Sequence, residues 1–123
     1  MHRTDDQRGL VSVYAWLAQI VHWAQKVELI IEKKSRDAIA QDPDEQHYLI
    51  LYSEAVGEAA RRAVDLDAEF ELVSGLPLAA AIRWSQSLVF YYDAPDPQAL
   101  LDGVMEKVLP LGRGARQLIN QQE

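Results

Sequence analysis

The stretch IRWSQSLVFYYDAPDP, at residues 82–97, combines groups that could act on a phosphate with a segment that breaks a helix. The Arg83 guanidinium can stabilise negative charge on phosphate oxygens, and the Tyr92 hydroxyl can donate or accept a proton. The stretch contains no histidine, and the last histidine of the chain is His47. The same residues also suit a simpler role, in which the aromatic rings only pack the end of a helix. Both interpretations stay open at this point.

Few other side chains of this sequence are spaced for catalysis or metal binding. His22 and His47 belong to no HxxxH or HExxH pattern, so they predict no metal site. Glu54 and Glu58 share a helix face and could line a di-metal site, but the Glu-x-x-His pairs that complete such sites are missing. The chain has no cysteine, which excludes thiolate zinc sites and a cysteine nucleophile. We therefore predict no metal and no cofactor.

Length and charge narrow the class of protein. With 123 residues, the chain is expected to form a single domain, 1–123, with one hydrophobic core. The formal net charge of −7 disfavours nonspecific binding to nucleic acids. No apolar run approaches the roughly 20 residues of a membrane span, and the N-terminus lacks the pattern of a signal peptide. These features predict a cytoplasmic protein without a membrane partner.

Apolar residues in the N-terminal part recur at alternating steps of three and four, which is typical of an amphipathic helix. Trp16, Trp23 and Ile30 form a flanking row seven residues apart, so the apolar face is wide. No strand pattern occurs in the sequence. The predicted fold is an all-α, up-down bundle of four main helices plus short connecting helices. Helix 1 is expected over about 9–34, with the stripe Leu10, Val13, Leu17, Ile20, Ala24, Val27 and Ile31.

The clearest helix start in the sequence is DPDE. Asp42 is an N-cap, Pro43 takes the first helical position and Glu45 completes a capping box. These signals predict helix 2, which runs to about Val64. Gly57 lies inside this helix, where glycine costs about 1 kcal/mol relative to alanine. Its expected compensation is the close approach of another helix.

Caps and helix breakers set the remaining boundaries, and the chain ends, 1–8 and about 113–123, are expected to be loose. Helix 3 is predicted from Pro77 to about Tyr92. Helix 4 follows, with a proline kink. The residues that define the other elements are Ser35 and Gly75 for the short connecting helices, and Asp96, Pro97 and Pro110 for helix 4.

Helix 2 contains YSEAVGEAARRA, and this run resembles the helix of HepT-like proteins of the HEPN superfamily, where an IGEAA run precedes basic residues. SRDAIAQDPDEQ and GLPLAAAIRWSQSLVFYYDAPDPQALLDGVMEKVLP are similar to flanking parts of the same family, so the resemblance covers about residues 20–112. It implies a small all-helical homodimer. Many members are ribonuclease toxins paired with a minimal nucleotidyltransferase antitoxin. In them an Arg-Asn…His-x-Tyr motif from each subunit meets its counterpart at the dimer interface.

Carrying the motif over residue by residue shows that its catalytic positions have changed. An alignment anchored at Pro77 places the family's arginine, asparagine, histidine and tyrosine on Ser85, Gln86, Phe90 and Tyr92. A two-residue gap would instead place the arginine on Arg83. Neither alignment supplies the imidazole that moves protons near neutral pH. The family's tyrosine is where the antitoxin attaches AMP, so the resemblance makes Tyr92 the candidate for modification.

The resemblance thus predicts a degenerate catalytic motif. In HepT-like proteins this motif lies in an active-site cleft, which we call the old cleft. The large apolar side chains of Trp84 and Phe90 are expected to fill it here, and Gln86 and Tyr91 are expected to line it. The row of Trp16, Trp23 and Ile30 and the small-residue face of helix 2 offer more apolar surface than a small bundle should expose. We therefore predict an isologous homodimer.

Three functions remain open. The preferred one is a HepT-like protein that acts through protein–protein contacts, with a minimal nucleotidyltransferase among its expected partners. The second is a metal-independent ribonuclease that uses displaced groups, such as Arg83 with His47 or Tyr92, and only in this case is RNA a partner. The third is a helical module that binds a small ligand in the old cleft.

Overall fold

The computed structural model describes the backbone of residues 2–91 and 96–122, and the side chains from residue 12 onward within these ranges. This part of the chain is helical and contains no strand, which confirms the all-α bundle. A 3₁₀ turn at Leu88–Tyr91 continues the fifth helix, and a π-helical segment at Val104–Val108 joins the last two. The helices are α1 (His2–Lys33), α2 (Arg36–Ala40), α3 (Pro43–Leu66), α4 (Phe70–Ser74), α5 (Leu78–Ser87), α6 (Pro97–Gly103) and α7 (Leu109–Gln122).

The core lies between α1, α3, α5 and α7. α1 packs against both α3 and α7, and α3 packs against α5. On α1, Val13, Leu17, Ile20 and Val27 are fully buried, as the apolar stripe predicts. α1 and α7 approach most closely at Gly112, where a Cβ atom would overlap the Ala24 side chain. Among the described residues, no helix has the length and apolar content needed to cross a bilayer.

The helix starts agree with the predicted caps except at Glu45. The Asp42 carboxylate accepts hydrogen bonds from the backbone N–H groups of Asp44 and Glu45 at 3.1 and 3.2 Å. In the predicted capping box the Glu45 carboxylate would accept the backbone N–H of Asp42. In the structure this N–H donates to the Ile39 carbonyl instead, at 3.0 Å. The Glu45 carboxylate instead lies 3.1 Å from the Lys34 ammonium. Glu45 therefore forms an ion pair with Lys34 in place of the predicted capping contact.

The observed helices run further than predicted at both chain ends. α1 begins at His2 rather than at about residue 9. α7 continues to Gln122, where the sequence predicts a loose tail from about 113. Ala115 is buried, and Leu118 and Ile119 pack against the core, so apolar contacts hold this last segment against the bundle.

The π-helical segment ends at Val108, two residues before Pro110, where the sequence predicts a kink. Proline has no N–H to donate, and its ring crowds the carbonyl of the residue four positions earlier, which here is Glu106. Glu106 lies inside the π-helical segment, whose wider turn relieves this crowding. Upstream, the Asp96 carboxylate caps α6 by accepting the Ala99 N–H at 3.1 Å.

Candidate functional site

A groove between α3 and α5 contains Ser85, the residue that the resemblance to HepT-like proteins aligns with an arginine. The two helices approach most closely at Gly57, where a Cβ atom would overlap the Ser85 side chain. This confirms the close helix approach expected at Gly57. The Ser85 hydroxyl donates to the Ile82 carbonyl at 2.8 Å. The groove has a volume of about 230 Å³ and is lined by Glu54, Gly57, Glu58, Arg61, Ile82, Ser85, Gln86 and Val89.

Two charged side chains of the groove, Glu58 and Arg61, form an ion pair, and each also pairs with a further residue of α3. The Arg61 guanidinium lies 2.7 Å from Glu58 and 2.9 Å from Asp65, and the Arg62 guanidinium lies 2.9 Å from Glu58. The hydrogen bond from Arg61 lowers the pKa of Glu58, and the bond from Arg62 acts in the same direction. Glu58 is therefore ionised near neutral pH and is a poor proton donor. Arg61 is likewise held by carboxylates on its own helix.

Of the residues expected to line the old cleft, only Gln86 lines this groove. Trp84 lies on another side of α5, where its indole packs against Gly103 of α6. Phe90 is 68% exposed and does not fill the cleft. At Leu88 the α-helix tightens into a 3₁₀ turn. Leu88 points into the core, and Phe90, two residues later in this turn, points to solvent. The apolar filling predicted from the sequence is therefore absent from the described side chains of the groove.

Tyr91 and His47 meet in a different cavity, of about 150 Å³, between α3, the 3₁₀ turn and the start of α6. Burial raises the pKa of the Tyr91 hydroxyl, the negative charge of Asp96 raises it further, and a hydrogen bond with Trp84 partly opposes both effects. Tyr91 is thus neutral over the physiological range. Gln46 also lines the cavity, and its amide donates to the Ile39 and Ala40 carbonyls at 2.9 and 3.1 Å.

The displaced catalytic groups considered from the sequence are not all brought together. Arg83 is exposed on α5 and lines neither the groove nor the cavity that contains His47. Tyr92, the candidate for modification, lies outside the described residues. Among the residues that the structure describes, no group of three or more histidine or acidic side chains could hold a metal ion.

The aromatic row of α1 is partly covered within the chain itself. The Arg62 guanidinium lies 5.9 Å from the centre of the Trp16 ring. Trp23 stacks on Tyr52 of α3, with the ring centroids 5.7 Å apart. Of the small residues of α3 that were expected at a dimer interface, Gly57, Ala59 and Ala60 are buried and Ala55 is half-buried. Much of the surface that motivated the homodimer prediction is therefore used inside one chain.

Sequence reasoning missed Val89, an apolar residue that lines the groove and is 58% exposed. Helical spacing could have predicted the place of Val89, because it follows Ser85 by four residues and so lies on the same helix face. Comparison of the chain with protein-family models, with curated proteins and with solved structures finds no match. The groove combines fixed charges with exposed apolar side chains, and its described lining residues include no imidazole.

Proposed function

We propose that this protein is a cytoplasmic HepT-like homodimer that lacks ribonuclease chemistry and acts through protein–protein contacts at the α3/α5 groove. The observation that carries the proposal is the exposure of Val89, which lines the groove, and of the adjacent Phe90, at 58% and 68%. Adjacent exposed apolar side chains of this size are typical of contact surfaces. The resemblance supports the same place, because it implies that the motif of each subunit meets its counterpart there.

The chemistry of the groove supports contact rather than catalysis. Ser85 stands at the position of the family's arginine and is packed against Gly57, so it supplies no cation for a phosphate. Phe90 stands at the position of the family's histidine and cannot transfer a proton. Glu58 is already engaged by two guanidinium groups. RNA cleavage would need groups that these residues do not provide.

The groove also has the composition of an interface. Val89 lines the groove and is more than half exposed, as is the adjacent Phe90, and Glu58 and Arg61 also line the groove. A minimal nucleotidyltransferase is the further partner that the resemblance implies.

Light scattering tests the proposal. We expect the unmodified protein to have the mass of two chains at micromolar concentration, and Val89→Ser combined with Phe90→Ser to shift the mass to one chain. Leu29→Ser is the matched control, because Leu29 is 51% exposed on α1 and should leave the mass unchanged. A single-chain mass for the unmodified protein would contradict the dimer. Cleavage of single-stranded RNA by the purified protein would contradict the loss of ribonuclease chemistry.

Small-ligand binding is the second candidate function, and the cavity lined by His47, Tyr91 and Asp96 favours it. Its volume of about 150 Å³ suits a ligand of only a few heavy atoms. A thermal-shift screen with fragment-sized compounds tests this candidate. We expect a stabilising compound to lose its effect in His47→Ala and to keep it in His22→Ala, since His22 is exposed on α1. Equal effects in both variants would exclude the cavity as the binding site.

A further inference from the structure

α4 presents a second apolar surface, which shares no residue with the lining of the α3/α5 groove. Leu72 and Val73 are 87% and 80% exposed, the highest values among the large apolar side chains that the structure describes. We call Leu72 and Val73 the α4 surface. Two adjacent apolar side chains that are almost wholly in water need a physical explanation.

The α4 surface is held rigidly by contacts on the other side of the helix. Phe70 is buried and meets the Tyr14 ring edge-on, with the centroids 6.2 Å apart. Gly75 ends the helix in the left-handed conformation, with φ of 75°, and its N–H donates to the Glu71 carbonyl at 2.9 Å. Because Phe70 points into the core, helical geometry directs Leu72 and Val73 to solvent. Their exposure is therefore built into the fold.

A shallow, open depression of about 500 Å³ lies beside this helix, and Leu72 is among its lining residues. Leu72 forms one side of it, and Leu76 and Pro77 lie in the segment that follows. A depression next to exposed apolar side chains can receive an apolar side chain from a partner, which is how most interfaces gain their binding energy. Its lining residues are Ala68, Glu71, Leu72, Gly75, Leu76 and Pro77.

The charged residues of α4 and of the turn before it are all acidic. Residues 67–73 contain three carboxylates, Asp67, Glu69 and Glu71, and no basic residue, whereas Asp65, just before them, is paired with Arg61. Backbone N–H groups fix two of them: the Asp67 carboxylate accepts from Glu69 and the Glu71 carboxylate accepts from Ala79, each at 3.1 Å. An identical surface from a second copy would place carboxylates against carboxylates, and an anionic membrane would be repelled in the same way. Charge complementarity therefore selects a basic partner.

We propose that the α4 surface binds a basic amphipathic segment of another protein. The apolar side of the segment covers Leu72 and Val73 and enters the depression, while its lysine or arginine side chains face Glu69 and the neighbouring carboxylates. Opposite charges at the rim speed association and make the affinity depend on salt. This binding mode does not depend on the homodimer proposed above.

Fluorescence anisotropy with a labelled synthetic helix, carrying leucine on one side and lysine on the other, tests the proposal. We expect this peptide to bind the full-length protein, and a matched peptide with glutamate in place of every lysine not to bind. Leu72→Ser combined with Val73→Ser should weaken binding at least about tenfold. The matched control is Leu29→Ser, which should bind as the unmodified protein does. The thermal unfolding of the double variant should be unchanged, because its altered side chains bury little surface.

A charge variant completes the test, and four outcomes would contradict the proposal. Glu69→Gln should weaken binding and reduce its salt dependence, whereas Glu106→Gln on the π-helical segment should not. Failure of the lysine peptide to bind, or equal binding to the double variant, would overturn the proposal. A dimer mass that is lost only in the Leu72/Val73 variant would identify a second copy as the occupant instead. Binding to neutral phospholipid vesicles that is lost in the same variant would identify a lipid surface instead.

Discussion

Gly57 on α3 and Ser85 on α5 lie so close together that a Cβ atom at position 57 would overlap the serine side chain. This contact explains why a glycine is kept in the middle of a long helix. The resemblance to HepT-like proteins places a catalytic arginine at the position of Ser85. A long cationic side chain at position 85 would have to leave the helix interface.

The first prediction concerns Gly57→Ala. The added methyl group meets the Ser85 Cβ and Oγ atoms, which are fixed by the α5 backbone. We expect the free energy of unfolding to fall by roughly 1–3 kcal/mol in chemical denaturation, the usual range for overpacking. The loss should be smaller when Ser85→Gly is also present, as a double-mutant cycle measures.

Gly114→Ala is the control for this packing effect. Its Cβ atom would approach only the Leu76 Cδ2 atom, at 2.8 Å, and that is the movable end of a side chain. Removing a glycine from a helix interior gains up to about 1 kcal/mol, so this variant should be neutral or more stable. Equal losses at positions 57 and 114 would show that the α3/α5 contact is not specific.

The second prediction concerns restoration of the family's catalytic groups. Ser85→Arg combined with Phe90→His should not produce ribonuclease activity, because position 85 is packed against Gly57 and position 90 faces solvent. Groups displaced by about 1 Å can lose two orders of magnitude in rate. Cleavage of single-stranded RNA in the presence of EDTA, seen with the double variant and with neither single variant, would contradict this expectation.

The third prediction concerns Ser53, a polar side chain inside the core. Ser53 is 1% exposed, and its hydroxyl has no hydrogen-bond partner within the described part of the chain. Ser53→Ala should raise the free energy of unfolding by about 1 kcal/mol, because it removes an unpaired buried group. Ser87→Ala is the control, since that hydroxyl donates to the Trp84 carbonyl at 2.6 Å and should show no such gain. A less stable Ser53→Ala variant would mean that the hydroxyl is hydrogen-bonded in solution.

The fourth prediction concerns pH. The hydrogen bond from Lys34 lowers the pKa of Asp42, and the Glu45 N–H acts in the same direction. A carboxylate with a lowered pKa stabilises the fold above its unfolded pKa, and this stabilisation is lost as the pH falls through the folded value. Asp42→Asn keeps a capping side chain but removes the charge. The melting temperatures of the two proteins should therefore differ near neutral pH and converge below about pH 4.

High salt and a neighbouring residue provide the controls for this prediction. The Lys34 and Asp42 side chains are both partly in solvent, 3.1 Å apart, so added salt should reduce the difference at neutral pH. Asp44→Asn changes a carboxylate that makes no ion pair among the described residues, and it should have little effect. A difference that persists at pH 2 would assign the effect of Asp42→Asn to capping rather than to charge.

The helices could be predicted because the signals that define them are local. The steps of three and four on α1 need only one stretch of chain, and so do the Asp42 and Asp96 caps and the Gly75 stop. Each of these depends on hydrogen bonds or dihedral angles within about four residues. The all-α class and most helix boundaries therefore follow from the sequence.

The candidate site depends on contacts between residues that are far apart in sequence. Gly57 indicated a close helix approach, but only the fold identifies Ser85 as the neighbour. Glu45 has the right spacing for a capping box, yet it pairs with Lys34, because a nearby ammonium competes with the local N–H. The exposure of Phe90 and Leu72 depends on which neighbouring residue turns into the core, Leu88 in one case and Phe70 in the other. Sequence periodicity predicts that a helix has an inner and an outer face, but the packing of the whole chain decides which apolar residues remain in water.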